Sequence, residues 1–167
     1  MSSSAPGSDE GAASGGRRSG SAVEVAVVRL DPGLELPTPA RAGDAGVDLR
    51  AVRDVELAAG GGRAVVGTGL SVAIPWGLCG LVLPRSGLAR RHGVTCLNTP
   101  GLIDAGYRGE LEVLLVNTDP STPFTVRRGD RIAQLVVVGF SPVHFSVVEC
   151  HDDTERGTEG WGASGLR

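Results

Sequence analysis

Lysine is absent. All 16 cationic residues of the 167-residue chain are arginine. A Walker-type phosphate loop depends on its lysine, so that mode of nucleotide binding is excluded. Phosphate chemistry would fall to arginine, whose planar fork matches phosphate oxygens; a GC-rich genome would produce the same bias. Cysteine is scarce. The 3 thiols, Cys79, Cys96 and Cys150, include no Cys-x-x-Cys pair. Their spacing to His92 and His151 matches no zinc pattern, and an odd count suits reduced thiols in the cytoplasm. No apolar run is long enough to cross a membrane, and the first residues lack the apolar core of a signal peptide. The net charge of −3 implies no general attraction to nucleic acid or to an anionic membrane. Long amphipathic helices and internal repeats are missing too.

What remains is glycine, proline and short apolar runs. The 26 Gly and 10 Pro punctuate β-like stretches at close spacing. Strands are expected at Val23 to Leu30, Val47 to Leu49, Val55 to Leu57, Arg63 to Val66, Leu70 to Ile74 and Leu78 to Leu83. Further strands are expected at Val94 to Leu97, Leu111 to Val116, Phe124 to Val126, Ile132 to Phe140 and Val143 to Val148. Many short strands with Gly/Pro/Asp turns predict an all-β sandwich or barrel. One short helix, Leu88 to His92, is stopped by Gly93. Ile132 to Phe140 is apolar on both faces, which predicts burial on both sides, in a core or against another subunit. Three regions follow: a disordered tail over residues 1–22, a β domain over 23–150, and a flexible C-terminal arm over 151–167. Gly160 to Gly165 spells Gly-x-Gly-x-x-Gly, but no strand precedes it and no helix follows, so it is no dinucleotide signal.

Several stretches carry polar chemistry. Gly101 to Glu110 reads as a stiff hairpin leading into a strongly apolar strand. It bears one carboxylate, Asp104, and three residues later one phenol, Tyr107. A carboxylate held this way can be aimed as a general base, or it can cap its own turn. Pro84 to Ala89 closes a strand and opens the short helix. Backbone N–H groups there, with Arg85 and Ser86, form an anion site, or Ser86 is an ordinary helix cap. Asp48, early on its strand, could hold a cation bound to phosphates or end a turn. The arm holds one arginine and one indole, Arg156 and Trp161.

In this order, five segments resemble the motifs of the trimeric dUTP pyrophosphatases (dUTPases). They are Ala45 to Leu49, Pro84 to Ala89, Gly101 to Glu110, Arg131 to Leu135, and Arg156 to Gly165, with Asn98 just before the third. The resemblance implies a jelly-roll β fold and a homotrimer with three active sites at subunit interfaces. It implies Mg²⁺-dependent hydrolysis of dUTP to dUMP and pyrophosphate. Asp104 would be the general base. Tyr107 would pack under the deoxyribose and refuse a 2′-hydroxyl. Asn98, with the backbone around Leu102 and Ile103, would read the uracil edge. Arg85, Ser86, Gly87 and Gln134 would hold phosphates, and Glu112 would lie at the site. Asp48 would orient Mg²⁺ through its water shell. Arg156 would clamp the terminal phosphate, and Trp161 would lie over the uracil.

The arm departs from the family pattern. Trp161 stands where phenylalanine is usual, Glu159 where glycine is usual, and Ala163 where serine is usual. Two other readings compete. A dCTP deaminase of the same fold needs a catalytic glutamate and lacks both the Asp-x-x-Tyr segment and the arm. A catalytically silent nucleotide-binding or interaction module would not require every one of these residues.

Overall fold

The computed structural model describes residues 22–158. In chain order its elements are β1 (Ala26–Arg29), β2 (Val47–Arg50), β3 (Val55–Leu57), β4 (Arg63–Ala73) and β5 (Leu78–Pro84). After them come α1 (Ser86–His92), β6 (Val94–Cys96), β7 (Gly101–Ile103), β8 (Glu110–Asn117), β9 (Phe124–Val126) and β10 (Arg131–Gly139). One sheet runs β1-β4-β8-β6 and a second runs β2-β10-β5-β7, while β3 and β9 form a separate ribbon. Every pairing is antiparallel. This is the all-β sandwich that the strand pattern predicts and the jelly-roll fold that the resemblance implies.

The core lies between the two larger sheets. Along β8, Leu111, Val113 and Leu115 are buried while Glu112 faces solvent. That two-residue period fills one face of a sheet. Leu49, Val66, Ile132 and Val126 meet these residues from other strands. Each such side chain, fully buried, contributes about 1.5–3 kcal/mol.

Helix α1 begins two residues earlier than the sequence suggests. Arg85 itself occupies the N-cap, with extended backbone and no side-chain cap bond. Ser86 is therefore the first helical residue and not the cap. Gly93 ends the helix in the left-handed conformation at φ 63°, where glycine carries no Cβ penalty. The His92 ring packs 4.8 Å from that of Phe124 and ties the helix to β9.

Three expectations need correction. Arg63 to Val66 and Leu70 to Ile74 are not separate strands. They are one strand, β4, whose register against β8 shifts between Gly67 and Ser71. Gly101 to Glu110 is not a hairpin. Gly101–Ile103 pairs with β5 in the second sheet, while Glu110–Asn117 pairs with β4 and β6 in the first. The segment carries the chain from one sheet to the other. Val143 to Val148 alternates as a strand should but has no strand structure and pairs with none of the described strands. Val143, Phe145 and Val147 are 72%, 88% and 100% exposed. Within the one chain, β10 is covered on both faces at its start, the core half of the expectation for Ile132 to Phe140. Ile132, Ala133 and Leu135 are buried, whereas Val136, Val137 and Val138 are half-buried and Phe140 is exposed.

Candidate functional site

The polar residues singled out above fall into two groups. The first sits where β2, β10 and β5 lie side by side. Gln134 of β10 stands opposite Asp48 of β2 on one flank and Leu83 of β5 on the other. Directly opposed residues share a face, so Gln134 reaches Asp48. Its amide donates to Asp48 Oδ1 at 3.4 Å. Arg85, one residue past the end of β5, donates from Nε to the same oxygen at 2.9 Å. Arg131 donates from Nη1 to Oδ2 at 3.2 Å, and its own carbonyl accepts Arg85 Nη1 at 3.3 Å. The Asp48 side chain is only 16% exposed. Burying a carboxylate costs several kcal/mol unless it is paired, and here two guanidinium groups pair it. A cavity of about 200 Å³ lined by Arg85, Leu88, Phe124, Asp130 and Arg131 lies beside the cluster. A smaller one of about 130 Å³, lined by Glu35, Asp48, Arg50 and Arg131, lies on its other flank. The Ser86 and Gly87 N–H groups belong to the first turn of α1, where no preceding helical carbonyl is available to them.

The second group sits where the chain crosses between sheets. A tight turn is closed by the Tyr107 N–H donating to the Asp104 carbonyl at 3.0 Å. Arg108 locks the outside of the turn, donating from Nη1 to the carbonyls of Ala105 and Tyr107, each at 2.7 Å. The Tyr107 hydroxyl donates to the Glu110 carbonyl at 2.9 Å. A Cβ on Gly109 would collide with the tyrosine ring and its hydroxyl, so a glycine is required for this ring position. The irregular part of β4 anchors the base. Thr68 Oγ1 donates to the Leu111 carbonyl and Ser71 Oγ to the Arg108 carbonyl, each at 2.7 Å. Gly69, at φ 69°, donates its N–H to Glu110 Oε1 at 2.8 Å. Its glycine is needed twice, since a Cβ there would also stand 2.6 Å from the Asp31 Cβ. The β4 register shift thus serves as the mount for residues 108–111. Above it opens a cavity of about 260 Å³ lined by Leu102, Ile103, Asp104, Tyr107, Glu110 and Glu112. Three of these six are carboxylates, so an anion entering here would need cations from elsewhere.

Asn98 lies in the exposed turn between β6 and β7, its amide near Gly101 at the mouth of the same segment. Arg156 lies in a turn closed by the Gly157 N–H on the Thr154 carbonyl at 3.0 Å. Trp161, Glu159 and Ala163 lie outside the described residues. The two cavities beside Arg85 and beside Asp104 share no lining residue. Sequence reasoning missed Arg131 as a contact of Asp48. It also missed Glu110, whose carboxylate holds Gly69 rather than facing a ligand alone. Among the described residues no group of three or more His, Cys, Asp or Glu side chains could cage a metal.

A two-sheet β sandwich with a doubly paired carboxylate among arginines, and a separate acidic cavity at a sheet crossing, defines a jelly-roll protein equipped to meet a polyanion. The comparisons name the kind. The dUTPase family model matches residues 33–165. Deoxyuridine 5'-triphosphate nucleotidohydrolase of Nocardia farcinica (strain IFM 10152) is 57% identical over 137 residues, covering 82% of this chain and 82% of that protein. The protein of the same description from Mycobacterium tuberculosis (strain ATCC 25618 / H37Rv) is 56% identical over 146 residues, covering 84% of this chain and 94% of that one. Among solved structures, the Staphylococcus bacteriophage 80alpha dUTPase with dUPNHPP superposes with a TM-score of 0.77 at 28% identity, covering 86% of this chain and 99% of that one. A mutant dUTPase from phage phi11 of S. aureus, described with a structural Mg(II) ion, gives 0.68 at 26% identity, covering 76% and 97%. The chain belongs to the dUTPase family.

Proposed function

We infer that the chain hydrolyses dUTP to dUMP and pyrophosphate. The observation that carries this is the family match over residues 33–165, a range that includes Asp48, Arg85, Asp104, Tyr107 and Gln134. In this reading a water oxygen attacks the α-phosphorus, Asp104 takes the water's proton, and pyrophosphate leaves. Phosphoryl transfer asks for positioning and charge neutralisation more than covalent help. Arg85, the first-turn N–H groups of Ser86 and Gly87, and Gln134 hold the phosphates. Tyr107, fixed by Glu110 and Gly109, packs against the deoxyribose and leaves no room for a 2′-hydroxyl. Asn98 and the backbone at Leu102 and Ile103 read the uracil edge, and Glu112 lies at the rim. Arg156 and Trp161 belong to an arm that closes over the site, excludes water and reopens for product release.

Mg²⁺ fits this donor set in one way only. The single carboxylate of the arginine group, Asp48, already has both oxygens engaged. It can support an ion carried in by the triphosphate with its own waters, not cage one, and Mg²⁺ is commonly held that way. Bound there, the ion would neutralise charge developing on the phosphates.

The assembly in this reading is a homotrimer with its sites between subunits. Two features support it. The arginine group and the Asp104 cavity are separate in one chain, so neither is sufficient alone. The apolar stretch at Val143, Phe145 and Val147 is uncovered, and so is an apolar cavity of about 580 Å³ lined by residues such as Val23, Leu36, Val47 and Val137. The free thiols of Cys79, Cys96 and Cys150 are in keeping with a cytoplasmic enzyme. No described helix is long and apolar enough to cross a membrane.

Pyrophosphate release measured across dUTP, dTTP, dCTP and UTP tests the reaction. Release from dUTP far above the other three is the expected result. Ammonia from dCTP, or dUTP bound and left intact with Mg²⁺ present, would reject it.

A further inference from the structure

Arg131 has no role in the reaction as described so far, yet the fold bends a strand to aim it. In a regular strand, residues three apart face opposite sides. Arg131 and Gln134 are three apart and nevertheless both reach Asp48. The cause is a bulge. Arg131 stands opposite Arg50, and Ala133 stands opposite Leu49, so Ile132 is an extra residue in the ladder. Ile132 and Ala133 are in consequence both buried. Bulges of this kind re-aim side chains.

We propose that Arg131 is a positioning residue: through Asp48 it holds the Arg85 guanidinium ready for a triphosphate. This rests on the reaction proposed above. The Arg85 plane is fixed at two of its three nitrogens. Nε is on Asp48 Oδ1 at 2.9 Å, and Nη1 is on the Arg131 carbonyl at 3.3 Å. The Asp48 carboxylate is in turn fixed by Arg131 on its other oxygen. Arg131 also cancels the charge of Asp48. Without it, a half-buried anion would bind Arg85 more strongly and repel the incoming phosphates. With it, the cluster of Asp48, Arg85 and Arg131 carries a net positive charge. Arg50, opposite Arg131 in register, donates to the Gly129 carbonyl and lies near Glu35, so it is committed elsewhere.

A double-mutant cycle tests the proposal. The full chain and its variants Arg131→Gln, Asp48→Asn and the double variant are titrated with a non-hydrolysable imido analogue of dUTP. Excess EDTA keeps metal-linked effects of Asp48 out of the measurement. Coupled neighbours of this kind shift affinity by about tenfold. Arg131→Gln is expected to weaken analogue binding by about that factor, and the double variant to bind no worse than Asp48→Asn alone. Arg131→Lys should recover most of the loss, since one N–H donor suffices for the single contact on Oδ2. Losses that add would mean that Arg131 acts independently of Asp48, and would overturn the proposal. So would an unchanged affinity in Arg131→Gln accompanied by a lower melting temperature, which would make Arg131 scaffold. Wild-type pyrophosphate release is measured beside the cycle. A wild-type chain that releases none has failed the reaction assignment, whereas an active wild type with an additive cycle rejects only the role of Arg131.

Discussion

Asp104 stands exposed at the head of a locked turn, with the Tyr107 N–H on its carbonyl and its carboxylate free to meet the cavity. Positioned acid–base catalysis is worth about 10²–10⁴-fold, so Asp104→Asn should reduce dUTP hydrolysis by at least the lower figure. The neutral amide keeps the side-chain shape, so calorimetry with the imido analogue should show binding undiminished. A variant that turns over at the wild-type rate would make Asp104 a turn residue only. The glycine beside it offers a sharper test of geometry. Gly109→Ala puts a methyl group where the Tyr107 ring and hydroxyl lie, and the ring must leave the Glu110 carbonyl. If that ring is the sugar gate, Gly109→Ala and Tyr107→Ala should both raise the UTP-to-dUTP activity ratio. A raised ratio in the tyrosine variant alone would show that the ring tolerates displacement.

Between elements, long-range polar contacts hold loops that apolar packing cannot reach. Arg128, in the turn before β10, forms a two-pronged pair with Asp31, which follows β1. It also donates to the Val52 carbonyl at 2.6 Å and gives its N–H to Asp54 at 2.7 Å. The Arg128 guanidinium, and next the Gly33 N–H, hold the Asp31 carboxyl below its ordinary 3.8. A carboxyl depressed on folding stabilises the fold above its unfolded value, and that gain is lost as pH falls through the lower folded value. Arg128→Gln should therefore be less stable than wild type at about pH 6, with the gap shrinking near about pH 3. Urea unfolding at both values measures it. An equal gap at both would show that the loss comes from packing and the backbone contacts rather than from the ion pair. At the same scale, β6 buries Cys96, and burial pushes its thiol up to about 11. It should stay unalkylated at neutral pH until denaturant is added.

For the whole molecule, the single chain leaves its own apolar surface incomplete. Phe145 and Val147 are almost wholly exposed, and the broad groove beside β1 and β2 opens onto core residues such as Leu49 and Leu111. Light scattering should give about three times the chain mass, the closed symmetric assembly proposed above. Phe145→Asp should shift that mass downward and reduce turnover, because sites between subunits are lost with the contact. A monomer that remains fully active would remove the trimer from the account.

Strand content, turn positions and the five motif segments were legible in the sequence, because alternation of apolar residues and Gly/Pro turns are local signals. The β8 pattern Leu111, Val113, Leu115 needed no partner to be read as a strand. Tertiary structure alone decided which strands meet. Asp48 and Arg131 are 83 residues apart, and only the β2-β10-β5 order brings them together. Only the extra residue Ile132 turns Arg131 to that face, against the parity its spacing from Gln134 predicts. The Gly101 to Glu110 segment looked like a hairpin because its turn residues are local, whereas its two ends are claimed by different sheets through hydrogen bonds to distant strands. Val143 to Val148 carried a strand's pattern without a strand's partner. Periodicity records which face of a segment avoids water; it does not record whose edge will satisfy the backbone, and a ladder forms only where a register-matched edge is within reach.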